Sequence, residues 1–189
     1  MRLYRHFLLA VLLVGGAAAP ARAEGFLAPF AGFTFGGDVA STCQSLASCD
    51  EKRLAWGVAF GTTHGIFGFE EDIAYAPDFF GKTAGGDNAV LTAMTNFMLI
   101  VPAGPVRPFA VAGLGLIRPH AKFDAQSIAV DQNAFGYELG GGLDLFLLKS
   151  VGIRGDVRHV QTFDNLTLGV FNNQKLDFWR GSAALVFRF

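Results

Sequence analysis

The chain ends in a strand pattern that alternates to its last residue. From Ser182 to Phe189, small or polar residues take one parity (Ser182, Ala184, Arg188) and apolar ones the other (Ala183, Leu185, Phe187, Phe189). Successive side chains of a strand point to opposite faces. A strand that keeps large apolar groups on one face up to a terminal phenylalanine, with a guanidinium on the other, expects lipid outside and a polar lumen inside.

The start of the chain agrees. Met1 to His6 forms a basic stretch, Phe7 to Val14 an apolar one, and Ala21-Arg22-Ala23 a small-residue cleavage site. This is the layout of a secretory signal peptide over residues 1–23, leaving 24–189 as one mature domain. A membrane helix needs about 20 apolar residues, and Gly15, Gly16 and Pro20 interrupt this run. No later stretch supplies a spanning helix, so a membrane-bound mature chain must cross with strands closed into a barrel. The whole chain has a net charge of −1, and loss of Arg2, Arg5 and Arg22 makes the mature part more acidic. That balance argues against a nucleic-acid partner, which needs a basic surface. An apolar fraction of 51% suits a protein facing lipid, although a soluble sandwich can have similar totals.

Eight strand-like segments follow, at 26–37, 54–62, 67–77, 89–101, 107–118, 134–146, 151–162 and 177–189. The connections between them alternate long and short. The long ones (38–53, 78–88, 119–133, 163–176) are rich in Asp, Asn, Ser, Gly and Gln, and the short ones (63–66, 102–106, 147–150) carry turn residues. An even number of strands with this alternation predicts an all-β, eight-stranded antiparallel up-and-down transmembrane barrel.

Faces are clearest in four strands. Leu54, Trp56, Val58 and Phe60 oppose Ala55, Gly57, Ala59 and Gly61; Phe135, Tyr137, Leu139, Leu143 and Leu145 oppose Gly136, Glu138, Gly140, Gly142 and Asp144. Val151, Ile153 and Val157 oppose Arg154, Asp156 and Arg158, and Trp179, Leu185, Phe187 and Phe189 oppose Arg180 and Arg188. A slip of one residue would put these arginines into lipid at about 2–4 kcal/mol each near the midplane, so the pattern fixes register. Strands one, four and five are apolar on both parities, and Glu71 falls on the lipid-facing parity between Glu70 and Asp72.

The inward charges form the chain's most informative constellation: the acids Glu70, Asp72, Glu138, Asp144 and Asp156, and the bases Arg154, Arg158, Arg180 and Arg188, with Asn96 nearby by parity. An eight-stranded barrel is just wide enough to be filled by side chains, so these groups are expected to pair with one another. Paired carboxylates could serve acid/base catalysis, but that requires a substrate path, which a plugged lumen does not offer. No catalytic residue, metal ligand or cofactor site is therefore assigned.

Cys43 and Cys49 stand in the first long connection among Ser, Thr and Gln. In an exported protein an even count in one exposed loop predicts a disulfide that stiffens it, and no further Cys or His nearby completes a metal site. Gly113-Leu-Gly115 lacks the third glycine of a dinucleotide loop. His159 has Gln161 two residues on, where barrel enzymes that deacylate lipid A carry a serine nucleophile.

Several segments together resemble the bacterial outer-membrane protein β-barrel domain family, relatives in architecture of the OmpA and OmpX membrane domains. They are Gly68 to Phe80, Asn96 to Pro102 followed by Arg107 to Gly115, Gly152 to Arg158, and Phe178 to Phe189. The last also resembles the signal by which the outer-membrane assembly machinery recognises its clients, with Ser182, Phe187 and Phe189 in pattern and Ala184 where glycine is preferred. The resemblance implies a barrel in the bacterial outer membrane; the absence of site chemistry, and not the fold, makes the expected barrel non-enzymatic, and a monomer is expected. Its expected partners are membrane lipid, lipopolysaccharide and the assembly machinery, and its role is structural or exercised through extracellular loops. A narrow ion pore, a lipid A-modifying enzyme and a soluble lipocalin-like barrel are the alternatives; the last would want an apolar interior, against the inward Arg, Glu and Asp.

Overall fold

The computed structural model describes residues 23–37, 52–79, 88–123, 128–131, 133–168 and 171–189. The expected signal segment before Ala23, and Cys43 and Cys49 with their expected disulfide, lie outside the described residues.

Eight long strands build the barrel: β1 (Glu24–Phe35), β2 (Arg53–His64), β3 (Phe67–Pro77), β4 (Asn88–Ile100), β5 (Val106–Phe123), β7 (Ala134–Phe146), β8 (Val151–Thr162) and β11 (Asp177–Arg188). Each pairs antiparallel with the next in sequence, and β11 returns to β1, so the sheet closes and leaves no edge exposed to lipid. The closing seam runs from Phe26↔Arg188 to Phe35↔Trp179 and is interrupted at Ala28 and Pro29. Pro29 has no N–H to give to the ladder, so the gap falls where the chemistry requires it. At the end of the seam Gly25 and Phe189 exchange backbone hydrogen bonds of 2.8 and 2.9 Å.

Tight turns join β2 to β3, β4 to β5 and β7 to β8 at the end of the barrel that also holds Glu24 and Phe189. Gly65 (φ 61°) and Gly104 (φ 71°) supply the left-handed backbone that the first two of these turns need. The other end carries the long connections. Two of these hold more regular structure than their polar sequence suggests. β5 runs on to Phe123 and pairs with a short β6 (Ile128–Asp131), and β9 (Leu166–Leu168) pairs with β10 (Phe171–Gln174). The first extends the barrel sheet along β5, and the second is a separate two-stranded sheet between β8 and β11.

Alternation is the rule in every barrel strand. β4 buries Val90, Thr92, Met94, Asn96, Met98 and Ile100 and exposes Leu91, Ala93, Thr95, Phe97 and Leu99. β1 turns Phe26, Ala28, Phe30 and Thr34 inward, and β5 turns in Phe109, Val111 and Ile117. These were the strands without contrast in sequence, because much of the lumen they face is itself apolar. Outside, phenylalanine, leucine and tryptophan stand in the open: Phe69 is 61% exposed and Phe135 62%. That is a surface made to contact hydrocarbon. Glu71 also faces outward, and both its oxygens accept from Thr95 Oγ1 on the adjacent strand (3.0 and 2.9 Å).

Candidate functional site

The lumen is stacked in layers. Nearest the long connections lies an apolar layer of Ala55, Ala76, Phe79, Val90, Met94, Ile117, Ala134, Val160, Leu176 and Phe178. Toward the short turns lies a second, which includes Phe26, Phe30, Met98, Ile100, Phe109, Val111 and Val186. The charged residues occupy the space between them.

Arg158, on β8, is the hub. Its Nη1 donates to Glu70 Oε1 (2.7 Å) and Glu138 Oε1 (2.9 Å) and lies 3.3 Å from Asp72 Oδ2, while its Nε donates to Asp156 Oδ1 at 3.3 Å. Because β8 and β3 stand on opposite sides of the barrel, the Arg158–Glu70 pair crosses its diameter. Arg154, two inward positions lower, holds Asp144 with two bonds (2.6 and 3.0 Å) and Glu70 Oε2 with a third of 2.6 Å. Arg180 grips Asp72 with two bonds of 2.8 Å. The planar fork of arginine suits such two-point recognition of carboxylates, and a lysine could not supply it. Asn96 Nδ2 donates to Glu138 Oε1 (2.9 Å), and Ser182 Oγ donates to Asp156 Oδ1 (2.8 Å).

Small residues make room for these groups. A Cβ on Gly113, which pairs with both Asn96 and Glu138, would run into Asn96 Oδ1, and one on Gly140 would press against the stem of Arg158. Below the arginines lie aromatic faces: Arg154 stands 4.4 Å from the centre of the Phe109 ring and 5.1 Å from that of Phe26, and Arg180 4.6 Å from Phe30. Cation–π contact of this kind joins the ionic layer to the apolar one beneath it.

Eight of the nine charged residues expected in the lumen thus meet in one network. Arg188 does not join them. It has the inward parity, but it is the last residue of β11 and reaches only the short-turn rim, where its Nη1 donates to Glu24 Oε2 (3.1 Å) and its Nη2 to the Lys149 carbonyl (2.6 Å). Arg107 reaches the same Glu24 oxygen at 3.4 Å, and both guanidiniums stand over the Phe146 ring. Parity gives the face of a residue and not its height, and height separates Arg188 from Arg180.

Two participants lie where the sequence suggests loop. Asp78, at φ 51°, turns the chain after β3 so that Phe79 enters the lumen and meets Phe178 edge-on at 4.9 Å. Leu176 enters just before β11, its N–H held by Thr162 Oγ1 at 2.9 Å. Ser182, Ala184 and Phe187 belong to β11 and Phe189 follows its last residue, with Ala184 buried inside and Phe187 and Phe189 outside. Among the described residues no group of three or more His, Cys, Asp or Glu is arranged to hold a metal ion.

The arrangement binds strands together and fills the middle of the lumen with side chains. Every arginine in it is spent on carboxylates of the same chain, and buried apolar side chains lie toward both ends of the barrel from it.

Comparison with known proteins places this architecture. The family model described as the outer membrane protein beta-barrel domain matches residues 7–189. Among solved structures, Neisserial surface protein A matches with a TM-score of 0.66 at 14% identity, over 89% of this chain and 100% of that one. A major outer membrane protein from Thermus thermophilus matches at 0.56 and 13% identity, over 89% and 100%. Ail, the attachment invasion locus protein of Yersinia pestis, matches at 0.53 and 12% identity, over 87% and 98%. At such identities the structural likeness shows the fold alone. No curated protein sequence matches.

Proposed function

The chain belongs to the outer membrane protein β-barrel domain family, and from that premise we propose that it is a sealed, non-enzymatic barrel of the bacterial outer membrane that works through its outer surfaces. Short turns of such barrels face the periplasm and long loops the exterior. Residues 1–23 then serve export as a cleaved signal, residues 24–189 fold as the barrel, and the final strand is what the assembly machinery recognises. The folded monomer contacts membrane lipid and lipopolysaccharide along its sides, and its loops reach whatever lies outside the cell.

The observation that carries this reading is the layering of the lumen. An ionic layer flanked by Phe79, Met94, Ile117 and Phe178 above and by Phe26, Phe30 and Phe109 below fills the middle of the lumen, and its carboxylates are engaged by arginines of the same chain, Glu138 through its Oε1. Function on a barrel scaffold sits in sites added to it, and loops held by a rigid frame are where such sites gather. Ail and Neisserial surface protein A are named for attachment and for the cell surface, which fits a role of the same kind.

Recordings from purified protein in planar lipid bilayers test this against the pore reading. A sealed lumen gives no steady single-channel conductance. Steady, ion-selective openings that respond to substitution of Glu70 or Arg158 would establish the pore instead.

A further inference from the structure

On the outer face, at the loop end of β7, β8 and β11, four polar side chains join across three strands. Tyr137 Oη donates to Gln161 Oε1 at 2.5 Å, Gln161 Nε2 donates to Asp177 Oδ2 at 3.1 Å, and Asp177 Oδ1 lies 3.0 Å from His159 Nε2. Register produces the chain, since Gln161 pairs with Tyr137 on one side and Asp177 on the other, and His159 pairs with Trp179. Rings adjoin it: Trp179 stands 4.8 Å from His159, and Phe163 5.7 Å from Tyr137. All five strand residues have outward parity, so none belongs to the lumen network.

Their height matters. Below His159 the outward residues of β8 are Val157, Gly155, Ile153 and Val151. Eight residues from Val151 to His159, at about 3.3 Å each on a strand tilted about 40°, rise about 20 Å. The polar chain thus begins near the top of an apolar band about 25 Å tall, at the level of the outer leaflet's headgroups. An aromatic belt accounts for Trp and Tyr at this level. It suffices on the opposite side, where Trp56 and Tyr75 meet edge-on at 5.6 Å. A belt does not call for a carboxylate, an imidazole and an amide linked together beside the rings.

A second feature lies directly beneath. Between β1, β11, β8 and β7 the lipid-facing surface carries a shallow, open groove of about 620 Å³, lined by Ala31, Phe33, Gly141, Leu143, Gly155 and Ala183. It continues toward the periplasmic side as a hollow of about 750 Å³ along Pro29, Ile153 and Leu185. A Cβ on Gly155 would meet nothing within 4 Å, so the hollow is not required by packing of the barrel itself.

A polar platform above an apolar groove matches an amphiphile, and the chemistry of each part narrows it. Planar acceptors and donors set beside exposed aromatic faces complement a sugar, whose hydroxyls both give and accept hydrogen bonds and whose C–H face stacks on rings. Asp177 would repel a phosphate placed directly on the platform. We propose that this outer face binds a glycolipid of the outer leaflet, with a sugar of its headgroup on the Trp179, His159, Asp177, Gln161 and Tyr137 platform and an acyl chain in the groove below. The proposal deepens the surface role given above and rests on the membrane-barrel reading.

Trp56 and Trp179 are the only tryptophans of the chain, so Trp56→Phe leaves Trp179 as the sole reporter. That variant is folded into phosphatidylcholine vesicles containing increasing fractions of rough-type lipopolysaccharide or, separately, phosphatidylglycerol. A saturable change in Trp179 emission with lipopolysaccharide alone is the expected result. Adding Asp177→Asn with Gln161→Ala should raise the half-saturating fraction about tenfold, in line with loss of one or two hydrogen bonds. Adding Gly155→Leu, which fills the groove without touching the platform, should raise it as well. An unchanged emission, an equal response to phosphatidylglycerol, or indifference to both sets of variants would overturn the proposal. Heat-dependent gel mobility of the same samples tells the two readings apart: a folded, inserted barrel that ignores lipopolysaccharide sinks only the glycolipid site, whereas failure to insert at all sinks the membrane reading with it.

Discussion

The described residues include a lumen cluster and a rim cluster of arginine and carboxylate, and burial sets them apart. In the middle of the lumen Arg154, Arg158 and Arg180 are bound to Glu70, Asp72, Glu138, Asp144 and Asp156, with most hydrogen bonds between 2.6 and 3.0 Å. At the periplasmic rim Arg107 and Arg188 share one oxygen of Glu24 at 3.4 and 3.1 Å, and the Glu24 side chain is 48% exposed. Both clusters tie β1 or β3 to strands on the far side of the barrel, so reach does not distinguish them. Water does. A charge at the rim whose partner is removed is rehydrated. One in the middle layer, enclosed by Met94 and Ile117 above and Phe26 and Phe109 below, has nowhere to turn. Removing one partner of a buried pair typically costs about 3–5 kcal/mol, whereas an exposed pair contributes about 0–1 kcal/mol.

The sharpest way to press this contrast is to empty one side of a two-point pair. Arg180→Met keeps the apolar stem of the side chain and removes both of its hydrogen bonds to Asp72, so urea unfolding from lipid vesicles should show a loss of about 3–5 kcal/mol. A loss below about 1 kcal/mol would mean that water reaches the layer. Phe79→Ala attacks the seal and leaves the ions alone. Truncating a buried aromatic costs about 3–5 kcal/mol through lost contact and the cavity left behind, with the lower figure expected here because Phe79 lies just outside the strands. The same variant should make Arg180 and Arg158 more accessible to water, readable as faster hydrogen exchange at β8 and β11.

Smaller effects probe the inside of the network. Glu70 uses both oxygens on arginines, whereas Glu138 Oε2 makes no hydrogen bond among the described residues. Glu138→Gln should therefore cost less than Glu70→Gln, by about 1 kcal/mol or more in the same unfolding experiment. The reverse order would show that Glu138 is the better-held carboxylate. Least of all should come from Glu24→Gln at the rim, within about 1 kcal/mol of the parent and weakening further in high salt.

How far the sequence reveals this molecule depends on which layer a strand faces. β7, β8 and β11 carry Glu138, Asp144, Arg154, Asp156, Arg158 and Arg180 against outward Leu, Ile, Val and Trp, so period-2 contrast declares both their class and their faces. β1, β4 and β5 look inward onto apolar layers with Phe26, Phe30, Met94, Met98 and Phe109, and a strand apolar on both sides has no contrast to read. Their orientation follows only from pairing, as Asn96 shows by meeting Glu138 across Gly113. Glu71 is hard to place for a related reason: its partner Thr95 is 24 residues away, and only the β3–β4 register brings the two together. Phe79 and Leu176 lie in polar connections, and their inward turn depends on backbone geometry at Asp78 and on the Thr162 hydroxyl. The chain of polar residues around His159 is a product of register across three strands, so residue spacing along one strand reveals only its His159 and Gln161 members.

The most direct test of a sealed ionic middle layer compares two arginines of the same inward parity at different heights. Arg158→Met and Arg188→Met are unfolded side by side from the same phospholipid vesicles. A loss of about 3–5 kcal/mol for the first and no more than about 1 kcal/mol for the second is the expected result. Equal losses, or a larger one for Arg188→Met, would contradict it and show that the lumen's middle is as open to water as its rim.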